Sequence, residues 1–545
     1  MKNPLQFILK RELSVESIVL AVSLYASLVF NAAFWKQTAA TGIFTGASGV
    51  WTAIVLFVVI TALHYFILLL LSNRWSLKVV VPLVLMISAA AAYFTSHYTV
   101  YIDGDMIRNV LNTDQKESRE VITAGMVGNI IFLGLLPSIL IVLLKVKKPP
   151  VLRSFLKRLA VLAVTAAVIL GAIFSSYQSV SSMMRNHKPL RYLVTPANFL
   201  AGTAGVFLKD TRKAPRQTLG KDAVSTRSRG EEPRLIVLVI GETVRTQNWG
   251  LNGYARQTTP ELAKINPISF ADVSSCGTAT ETSLPCIFTP WGRGDLDLKR
   301  IKNSESFLHV LNRAGVQTMW IDNQSGCKGV CADLPFESIQ QVTAATDHCT
   351  VDAGCYDMEL LSRLKAYLPT AGTKDAIVVL HQLGNHGPSY YKRSPPAAKV
   401  FLPECVSDEL SDCSTQEIIN GYDNAIVASD AFLASTIKYL ETLTDRDAGM
   451  IYISDHGESL GESGLFLHGM PYAIAPKTQT SVPMFMWFSQ GFAKDRGINE
   501  TCLRERAKKP ASHDNLFHSV IGLMQVRTAE YVADRDVLKG CESTP

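Results

Sequence analysis

Long apolar runs are confined to the first third of the chain, and short apolar runs recur through the remainder. Five early stretches approach or exceed the roughly 20 apolar residues that a helix needs to cross a bilayer. They cover residues 15–35, 50–71, 79–94, 126–144 and 159–174, and the third is the shortest. The pattern predicts an N-terminal transmembrane domain of five spans over residues 1–174.

Basic residues between these runs predict the orientation of the helices. They precede the first run, separate the second from the third, and separate the fourth from the fifth: Lys2, Lys10, Arg11, Arg74, Lys78, Lys145, Lys147, Lys148, Arg153, Lys157 and Arg158. The positive-inside rule assigns these three segments to the cytoplasm. We therefore expect a cytoplasmic N-terminus, an external loop at 96–124, and an exported chain after residue 174. The first run resembles a signal peptide, but its length and the four spans behind it favour retention.

Residues 175–234 form a polar connection to the rest of the chain. Its first part mixes basic and aromatic side chains between Met184 and Phe199, which suits helices at a lipid interface. Its second part, rich in Lys, Arg and Ser up to Glu232, is typical of a linker, and a solvated tether throughout is the alternative. Much of the net charge of +6 lies in this connection and in the cytoplasmic loops. The charge therefore reflects membrane topology, and it indicates neither a nucleic acid nor a protein partner.

From residue 235 onward, nearly continuous apolar runs alternate with helical patterns. The runs at 235–242, 316–321, 376–383, 449–455 and 482–488 predict strands buried on both faces of a parallel sheet. Helices are predicted at 304–314, 356–367 and 415–443. We expect a three-layer α/β/α domain over residues 235–545, with ligands beyond the carboxyl ends of the strands.

All ten cysteines lie in this second part of the chain. Disulfides form in oxidising compartments, so the distribution independently predicts export. Neighbours in sequence suggest five pairs: Cys276 with Cys286, Cys327 with Cys331, Cys349 with Cys355, Cys405 with Cys413, and Cys502 with Cys541. The sequence does not fix this pairing, and buried free thiols are the alternative. A zinc ribbon is disfavoured because the chain has no paired CxxC units.

Groups able to bind a metal follow three of the predicted strands. Glu242 follows the first, His381 and His386 lie at the end of the third, and Asp455 and His456 follow the fourth. Carboxylates with imidazole form a zinc set, and a catalytic zinc keeps one position for a reacting group. A single such residue is usually a cap or a surface group, but several at one sheet edge favour a site.

Hydroxyl and cationic residues near these strands offer further chemistry. Thr278, Thr280, Thr282 and Ser283 are all candidate nucleophiles before a predicted helix or turn, unless they serve only as caps. Glu458 and His468 follow Asp455 along the chain. Lys328, in the segment NQSGCKG with Gln324 and Ser325, suits an anionic phosphate group, although a single lysine is more often only solvated.

Six motifs in this order carry a specific resemblance: LIVLVIGET, SCGTATETSLPC, DNQSGCKG, HQLGNHGP, YISDHGESLGE and LHGMPYAIAP. After five spans, they resemble the lipid A phosphoethanolamine transferases, the family that includes the mobile colistin-resistance enzymes. The resemblance implies a membrane domain in the bacterial inner membrane and a periplasmic domain like alkaline phosphatase and the sulfatases. It implies transfer of phosphoethanolamine from phosphatidylethanolamine to lipid A, which lowers lipid A charge and gives polymyxin resistance.

The resemblance also implies roles for individual residues. Thr280 is the implied nucleophile, and Glu242, Thr280, Asp455 and His456 are the implied ligands of one zinc ion. Lys328, with Gln324 and Ser325 in its motif, and His386 and His468 correspond to residues that bind the transferred phosphate or a second metal. The two histidines are also candidate acid and base, because imidazole titrates near neutral pH.

One departure from the family adjoins the implied nucleophile. Many relatives carry small or apolar residues after CGTAT, whereas Glu281 and Thr282 follow here. A carboxylate pointing into the site would oppose an anionic substrate, so we expect Glu281 to point away. Two implied disulfides would also hold catalytic loops, since Cys276 and Cys286 bracket Thr280 and Cys327 and Cys331 flank Lys328.

Other functions stay open at this point. The acceptor could be a core sugar or a periplasmic glucan, because nothing in the metal residues distinguishes acceptors. A phosphoglycerol transferase of the lipoteichoic acid synthase type is disfavoured by the cysteines, and a sulfatase by the lack of a CxPxR-like segment. A non-enzymatic sensor with an exported metal-binding domain is an alternative of a different class.

Overall fold

A computed structural model describes residues 11–113, 115–210, 216–227, 231–340, 345–350 and 354–542. The chain divides into two compact units. One comprises Met1–Leu111 and Ile122–Lys209, and the other comprises Asn112–Val121 and Asp210–Pro545. A segment of the predicted external loop therefore belongs to the C-terminal unit.

The N-terminal unit is helical. Its helices are Val15–Val29, Ala32–Ala40, Gly46–Leu71, Leu77–His97, Gly104–Asn112, Ala124–Asn129, Leu136–Leu143, Val151–Ser175, Tyr177–Asn186 and Ala197–Asp210, with a π-helical turn at Ile130–Leu135 and a 3₁₀ turn at Lys188–Leu193. Among the described residues, four helical stretches are long and apolar enough to cross a membrane, or five if the first two helices form one span. The five predicted apolar segments are thus found as helices.

The first predicted span is broken. Val15–Val29 and Ala32–Ala40 are bent by 49° relative to one another, and Asn31 lies at the break. The Asn31 amide donates to the carbonyls of Ala26 and Thr195, and its oxygen accepts from the Thr195 amide. The side chain at the break therefore bonds both the preceding helical turn and Thr195, and side chains that bond into the helical ladder are one recognised cause of kinks.

Two other spans extend beyond their predicted limits. The third runs over Leu77–His97, and the fifth, Val151–Ser175, begins eight residues earlier than predicted. Arg153, Lys157 and Arg158 therefore lie in the first turns of a helix, not in a loop as the charge pattern suggested. Long basic side chains at a span end can reach the polar interface, so they do not stop the helix.

The predicted linker differs most from the structure. Leu219 is fully buried in the core of the C-terminal unit, and Val224–Ser225 pairs with Val526–Arg527 in an antiparallel two-stranded sheet. Arg227 forms an ion pair with Asp375. Residues 216–227 therefore pack as part of the C-terminal unit, which begins before residue 235. Only a few apolar residues of this segment, Leu219 and Ala223 among them, lie in the core. The polar composition of the segment therefore led to the prediction of a linker.

A seven-stranded sheet organises the C-terminal unit. Its strands are β1 (Arg234–Gly241), β2 (Ile268–Phe270), β3 (Gln317–Asp322), β4 (Phe336–Ser338), β5 (Ala376–His381), β6 (Asp447–Ser454) and β7 (Met484–Phe488). The spatial order is β2-β7-β6-β1-β5-β3-β4. From β6 to β4 the neighbours are parallel, whereas β7 runs antiparallel to both β6 and β2.

The sheet is thus mixed, and the prediction of a wholly parallel sheet was wrong for 482–488. A strand covered on both faces is apolar throughout whatever its direction, so the pattern does not report direction. The predicted helices are observed at Phe307–Arg313, Met358–Tyr367 and Thr415–Glu441. Phe307 packs in one core with Ile236, Leu238 and Ile240 of β1, while the other two helices contact β3, β5 and β6. The three-layer architecture is confirmed.

Five disulfides join the cysteines that neighbour one another in sequence. They are Cys276–Cys286, Cys327–Cys331, Cys349–Cys355, Cys405–Cys413 and Cys502–Cys541.

Candidate metal centre

Parallel pairing of β1 and β6 brings Glu242 and Asp455 together. Ile240 pairs with Ile453 and Gly241 with Ser454, so the next residue of each strand emerges at the same sheet edge. The Asp455 amide donates to the Gly241 carbonyl at 2.9 Å, which continues the ladder by one step. Two carboxylates are thereby fixed side by side by backbone hydrogen bonds.

Glu242, Asp455 and His456 form a buried cluster. Their candidate ligand atoms all lie within 4.8 Å of one another. His456 Nε2 is 3.4 Å from Glu242 Oε1 and 3.4 Å from Asp455 Oδ2. Asp455 Oδ2 is buried and finds no hydrogen-bond partner among the described residues, which is costly unless a cation binds there. Two carboxylates and one imidazole match the donors of catalytic zinc sites.

Hydrogen bonds orient each of the three side chains. His456 Nδ1 lies 2.9 Å from the Gly457 carbonyl, so Nδ1 carries the proton and Nε2 is left for a metal. Asp455 Oδ1 accepts from the Thr243 and His456 amides. The Thr243 hydroxyl donates to Glu242 Oε1 at 2.7 Å. These contacts preorganise the cluster around one point.

The cluster attracts positive charge. Burial opposes ionisation of Glu242, but the hydrogen bond and charge of His456 hold the pKa of Glu242 well below its ordinary value. Burial, followed by the charge of Glu242, raises the pKa of Asp455 to about 6. Burial opposes protonation of His456, yet the two carboxylates raise the pKa of His456 to about 10. Without a metal, a proton on His456 offsets the negative charge of Glu242 and Asp455, and a bound divalent cation would offset the same charge.

Thr280 is the hydroxyl residue that adjoins this cluster. It begins the helix Thr280–Ile287, and its Oγ1 lies 3.1 Å from each Glu242 carboxylate oxygen and 3.3 Å from His456 Nε2. The helix N-terminus adds positive potential at this hydroxyl. Of the four candidates that the sequence left open, only Thr280 has this position among the described contacts.

The other candidate hydroxyls have structural contacts. Thr278 donates to the Met470 carbonyl at 2.6 Å. Thr282 and Ser283 are buried beside Gly277, where an added Cβ would lie only 2.9 Å from side-chain atoms of both. These residues therefore shape the turn that presents Thr280.

Glu281 forms an ion pair with Lys302, and in the described part of the chain no hydrogen bond or ion pair joins it to the metal cluster. The expectation that it points away from the cluster agrees with this pairing.

Two further histidines extend the site. The His468 ring lies 4.4 Å from the His456 ring and 5.8 Å from the His386 ring, measured between centroids. His468 Nδ1 is 3.2 Å from Oε2 of Glu458, a fully buried carboxylate whose other oxygen has no hydrogen-bond partner. The structure therefore brings six predicted site residues together: Glu242, Thr280, Asp455, His456, His386 and His468.

A buried arginine supports His386 from behind. Arg393 Nε donates to the His386 carbonyl at 2.8 Å, and its guanidinium pairs with Glu120. Glu120 lies in the 112–121 segment that groups with the C-terminal unit. No local sequence pattern predicts this pairing, because the partners are 273 residues apart.

Lys328 lies in a loop closed by the Cys327–Cys331 disulfide. Its ammonium contacts Ser325 Oγ at 2.7 Å and the Ser325 carbonyl at 3.3 Å. In the same loop, the Gln324 backbone amide donates to Asp322 Oδ2, and Gln324 Oε1 accepts from the Ser325 backbone amide. In the described part of the chain, no hydrogen bond or ion pair joins this loop to Glu242, Asp455 or His456.

The sequence offered His381 as a candidate, but in the described part of the chain it forms no hydrogen bond with Glu242, Asp455 or His456, and it interacts with the two carboxylates only through its charge. It is fully buried, and its Nδ1 lies 2.8 Å from Asp322 Oδ1. Burial opposes protonation, but Asp322 raises the pKa of His381. Sequence reasoning missed both Asp322 and Thr243. Asp322 could have been found as an acidic residue ending a strand, as Glu242 was identified.

Family models match both units. Residues 234–526 match the sulfatase family, and residues 60–211 match the family described as phosphoethanolamine transferase EptA/EptB.

Related proteins match almost the whole chain. The phosphoethanolamine transferase EptA of Escherichia coli K12 is 35% identical over 544 residues, covering 98% of this chain and 99% of that protein. The phosphatidylethanolamine transferase Mcr-1 of Escherichia coli is 36% identical over 538 residues, covering 96% and 97%. The structure of the integral membrane lipooligosaccharide phosphoethanolamine transferase A from Neisseria meningitidis superposes with a TM-score of 0.94 at 37% identity, covering 98% and 100%.

These likenesses extend through the membrane helices as well as the metal-binding unit. They exclude the reading of this chain as a metal-binding sensor unrelated to transferases. The chain belongs to the EptA family of phosphoethanolamine transferases and is a membrane-embedded transferase enzyme.

Proposed function

We propose that this enzyme transfers phosphoethanolamine from phosphatidylethanolamine to a phosphate group of lipid A, using Thr280 as nucleophile. The observation that carries the proposal is the position of Thr280 Oγ1, 3.1 Å from both oxygens of Glu242 within the buried carboxylate and imidazole cluster. Relatives above 30% identity that are named as phosphoethanolamine transferases support the transferred group.

Zinc is the proposed metal. Glu242, Asp455 and His456 would hold it together with Thr280 Oγ1, and the unpartnered Asp455 Oδ2 supplies an oxygen that requires a cation. When bound, zinc lowers the pKa of a coordinated hydroxyl and offsets negative charge on phosphoryl oxygens. A second ion near Glu458, His386 and His468 is also compatible with their donor atoms.

In the first proposed step, Thr280 Oγ attacks the phosphorus of phosphatidylethanolamine. The Oγ–P bond forms and the P–O bond to diacylglycerol breaks, which leaves phosphoethanolamine on Thr280. The departing diacylglycerol oxygen takes a proton. His386 and His468 are the candidate donors, since the His468 ring lies 4.4 Å from the His456 ring and the His386 ring lies 5.8 Å from the His468 ring.

In the second proposed step, an oxygen of the acceptor attacks the same phosphorus. The new P–O bond forms, the Oγ–P bond breaks, and Thr280 recovers a proton. His468 is suited to exchange protons through Nε2, because Glu458 holds Nδ1.

Lys328 is proposed to bind phosphate oxygens together with Gln324 and Ser325. In the described part of the chain its ammonium contacts only Ser325 and no carboxylate, so its charge is not neutralised locally. Closure of the loop by Cys327–Cys331 limits its movement. A restrained, uncompensated ammonium is a suitable partner for a phosphodiester.

The proposed setting is the bacterial inner membrane, with the C-terminal unit in the periplasm. Basic residues between the spans and five disulfides in the C-terminal unit support this orientation. Donor and acceptor are both lipids, so membrane attachment raises their effective concentration at the site. Added phosphoethanolamine would lower the negative charge of lipid A and thereby reduce polymyxin binding.

Mass spectrometry of lipid A tests the proposal. Cells expressing wild type should add phosphoethanolamine, and Thr280→Ala should not. Thr282→Ala is the matched control, because it removes a hydroxyl from the same helix that forms no described hydrogen bond with Glu242, and it should retain transfer. Transfer by Thr280→Ala would refute the nucleophile. Modified core sugars with unmodified lipid A would refute the acceptor while preserving the reaction.

A further inference from the structure

A cavity lies at one end of the membrane helices. It is formed where Gly46–Leu71 ends and Val151–Ser175 begins, and it holds about 150 Å³ of space. On this measure, one water molecule needs about 10–15 Å³. The cavity is therefore large enough for a polar group of several non-hydrogen atoms. Its lining includes Arg74, Trp75, Ser154, Phe155 and Arg158.

Two arginines make this cavity basic. Among the described residues no carboxylate pairs with Arg74 or Arg158, whereas the neighbouring Lys157 pairs with Glu16 at 3.0 Å. Arg74 donates to the Pro149 carbonyl at 3.3 Å, and its guanidinium lies 4.1 Å from the centre of the Trp75 ring. These contacts orient Arg74 but leave its charge uncompensated.

The start of Val151–Ser175 adds to the positive potential. Pro150 occupies its N-cap position and offers no side-chain cap, so the first backbone amides keep free hydrogen-bonding capacity. Ser154 supplies a hydroxyl donor in the next turn. The cavity therefore combines guanidinium, hydroxyl and backbone donors, all suited to an anionic phosphate.

Apolar side chains surround the basic lining. Trp75 is 68% exposed, Val151 62% and Phe155 61%. Exposed aromatic and aliphatic groups at the end of a span are typical of the zone between lipid headgroups and acyl chains. An occupant with both a phosphate and acyl chains would contact both parts of the surface.

We propose that this cavity binds the phosphate headgroup of an anionic membrane phospholipid, such as phosphatidylglycerol. Basic pockets between transmembrane helices on the cytoplasmic side bind anionic lipid headgroups in general. The basic segments around Arg74 and Arg158 are those that the positive-inside rule assigns to that side. The site shares no residue with the metal cluster and does not depend on the proposed transfer reaction.

Native mass spectrometry of the full-length protein in mild detergent tests this site. Delipidated protein would be titrated with phosphatidylglycerol and, in separate samples, with phosphatidylethanolamine and inorganic phosphate. Wild type should hold one phosphatidylglycerol more tightly than phosphatidylethanolamine. Arg74→Gln/Arg158→Gln should weaken the phosphatidylglycerol adduct by at least about tenfold, since both guanidinium groups that line the cavity lose their charge-assisted hydrogen bonds to the phosphate.

The control is Lys147→Gln/Lys148→Gln, which removes two charges from the same exposed segment but outside the cavity lining. It should change phosphatidylglycerol binding less than about twofold, because neither lysine lines the cavity and neither can donate to a phosphate bound there. Arg158→Lys, which keeps the charge, should retain most binding and provides a second variant if the double mutant does not fold. Equal loss in the control, undiminished binding in the double mutant, or displacement of the lipid by inorganic phosphate would each overturn the proposal.

Discussion

Removing the Cys276–Cys286 disulfide should impair catalysis beyond its effect on stability. The bridge closes a loop with a sequence separation of 10, and Thr280 lies inside that loop. Chain-entropy reasoning predicts that replacing both cysteines by serine costs about 3 kcal/mol of unfolding free energy. Both cysteines are essentially buried and pack against Ile301, so the loop is also anchored by the core.

The catalytic effect follows from the position of Thr280 in this loop. Its hydroxyl must stay near Glu242 and His456, at the distances of 3.1 and 3.3 Å seen here. A displacement of about 1 Å is sufficient to reduce a reaction rate by about a hundredfold. We therefore expect kcat to fall by roughly ten- to a hundredfold, with the KM for the proposed donor, phosphatidylethanolamine, changed less, since the Lys328 loop proposed to bind its phosphate keeps its own disulfide.

The control is removal of Cys502–Cys541, which closes a longer loop with a separation of 39. The same reasoning predicts a larger stability loss of about 4 kcal/mol. Because neither cysteine contacts the metal cluster, kcat should stay near the wild-type value. Urea unfolding and transfer of labelled phosphoethanolamine would be measured on both variants below their unfolding transitions. A Cys276→Ser/Cys286→Ser enzyme that is folded, binds zinc and turns over at the wild-type rate would refute preorganisation by this bridge.

Removing the metal should make stability depend on pH, because the two carboxylates overcome the effect of burial and raise the pKa of His456 from 6.5 to about 10. This stabilisation is complete below the pKa of His456 in the unfolded chain and is lost as pH rises through its pKa in the folded protein. The melting temperature of chelated protein should therefore fall between about pH 7 and about pH 10, more steeply than that of zinc-loaded protein. Parallel profiles for the two forms would contradict the assignment of His456 as a metal ligand. A soluble fragment starting at residue 233 should be several kcal/mol less stable in urea than one starting at 216, since it loses buried Leu219, worth about 2 kcal/mol, and the ion pair of Arg227. Equal urea midpoints for the two fragments would show that the packing of residues 216–227 does not stabilise the C-terminal unit. Lys302→Met should lower kcat/KM for phosphatidylethanolamine by roughly tenfold, because it leaves the Glu281 charge unpaired beside Thr280. Adding Glu281→Gln should restore the value, and a lack of rescue would assign Lys302 a different role.

The sequence was sufficient to predict where the metal cluster lies, because its members follow directly from strand ends. Glu242 and Asp455 each come one residue after an apolar run, and parallel strands present such residues at one sheet edge. It was not sufficient to predict that β1 and β6 are neighbours, since they are separated by more than 200 residues of chain. The family resemblance did predict it, because it implied that Glu242 after β1 and Asp455 after β6 bind the same zinc ion.

Features fixed by distant side chains were beyond sequence patterns. The break at Asn31 depends on Thr195, a partner 164 residues away. The direction of β7 and the packing of residues 216–227 likewise depend on partners that hydropathy does not identify. In each case the local pattern was compatible with two arrangements, and a tertiary contact selects between them.

The Glu281 carboxylate beside Thr280 shows how such a contact changes a chemical conclusion. An acidic residue in the first turn of Thr280–Ile287 favours the helix, because it interacts with the positive end of the helix dipole. The same charge disfavours attack on an anionic phosphodiester. Lys302, 21 residues further along the chain, pairs with Glu281 and reduces the repulsion between Glu281 and an anionic substrate. Glu281 keeps its position in the first turn of the helix and its favourable interaction with the helix dipole. The departure from the family sequence is therefore compatible with the family's chemistry only as a pair, and any variant that changes one partner should be assayed with the other.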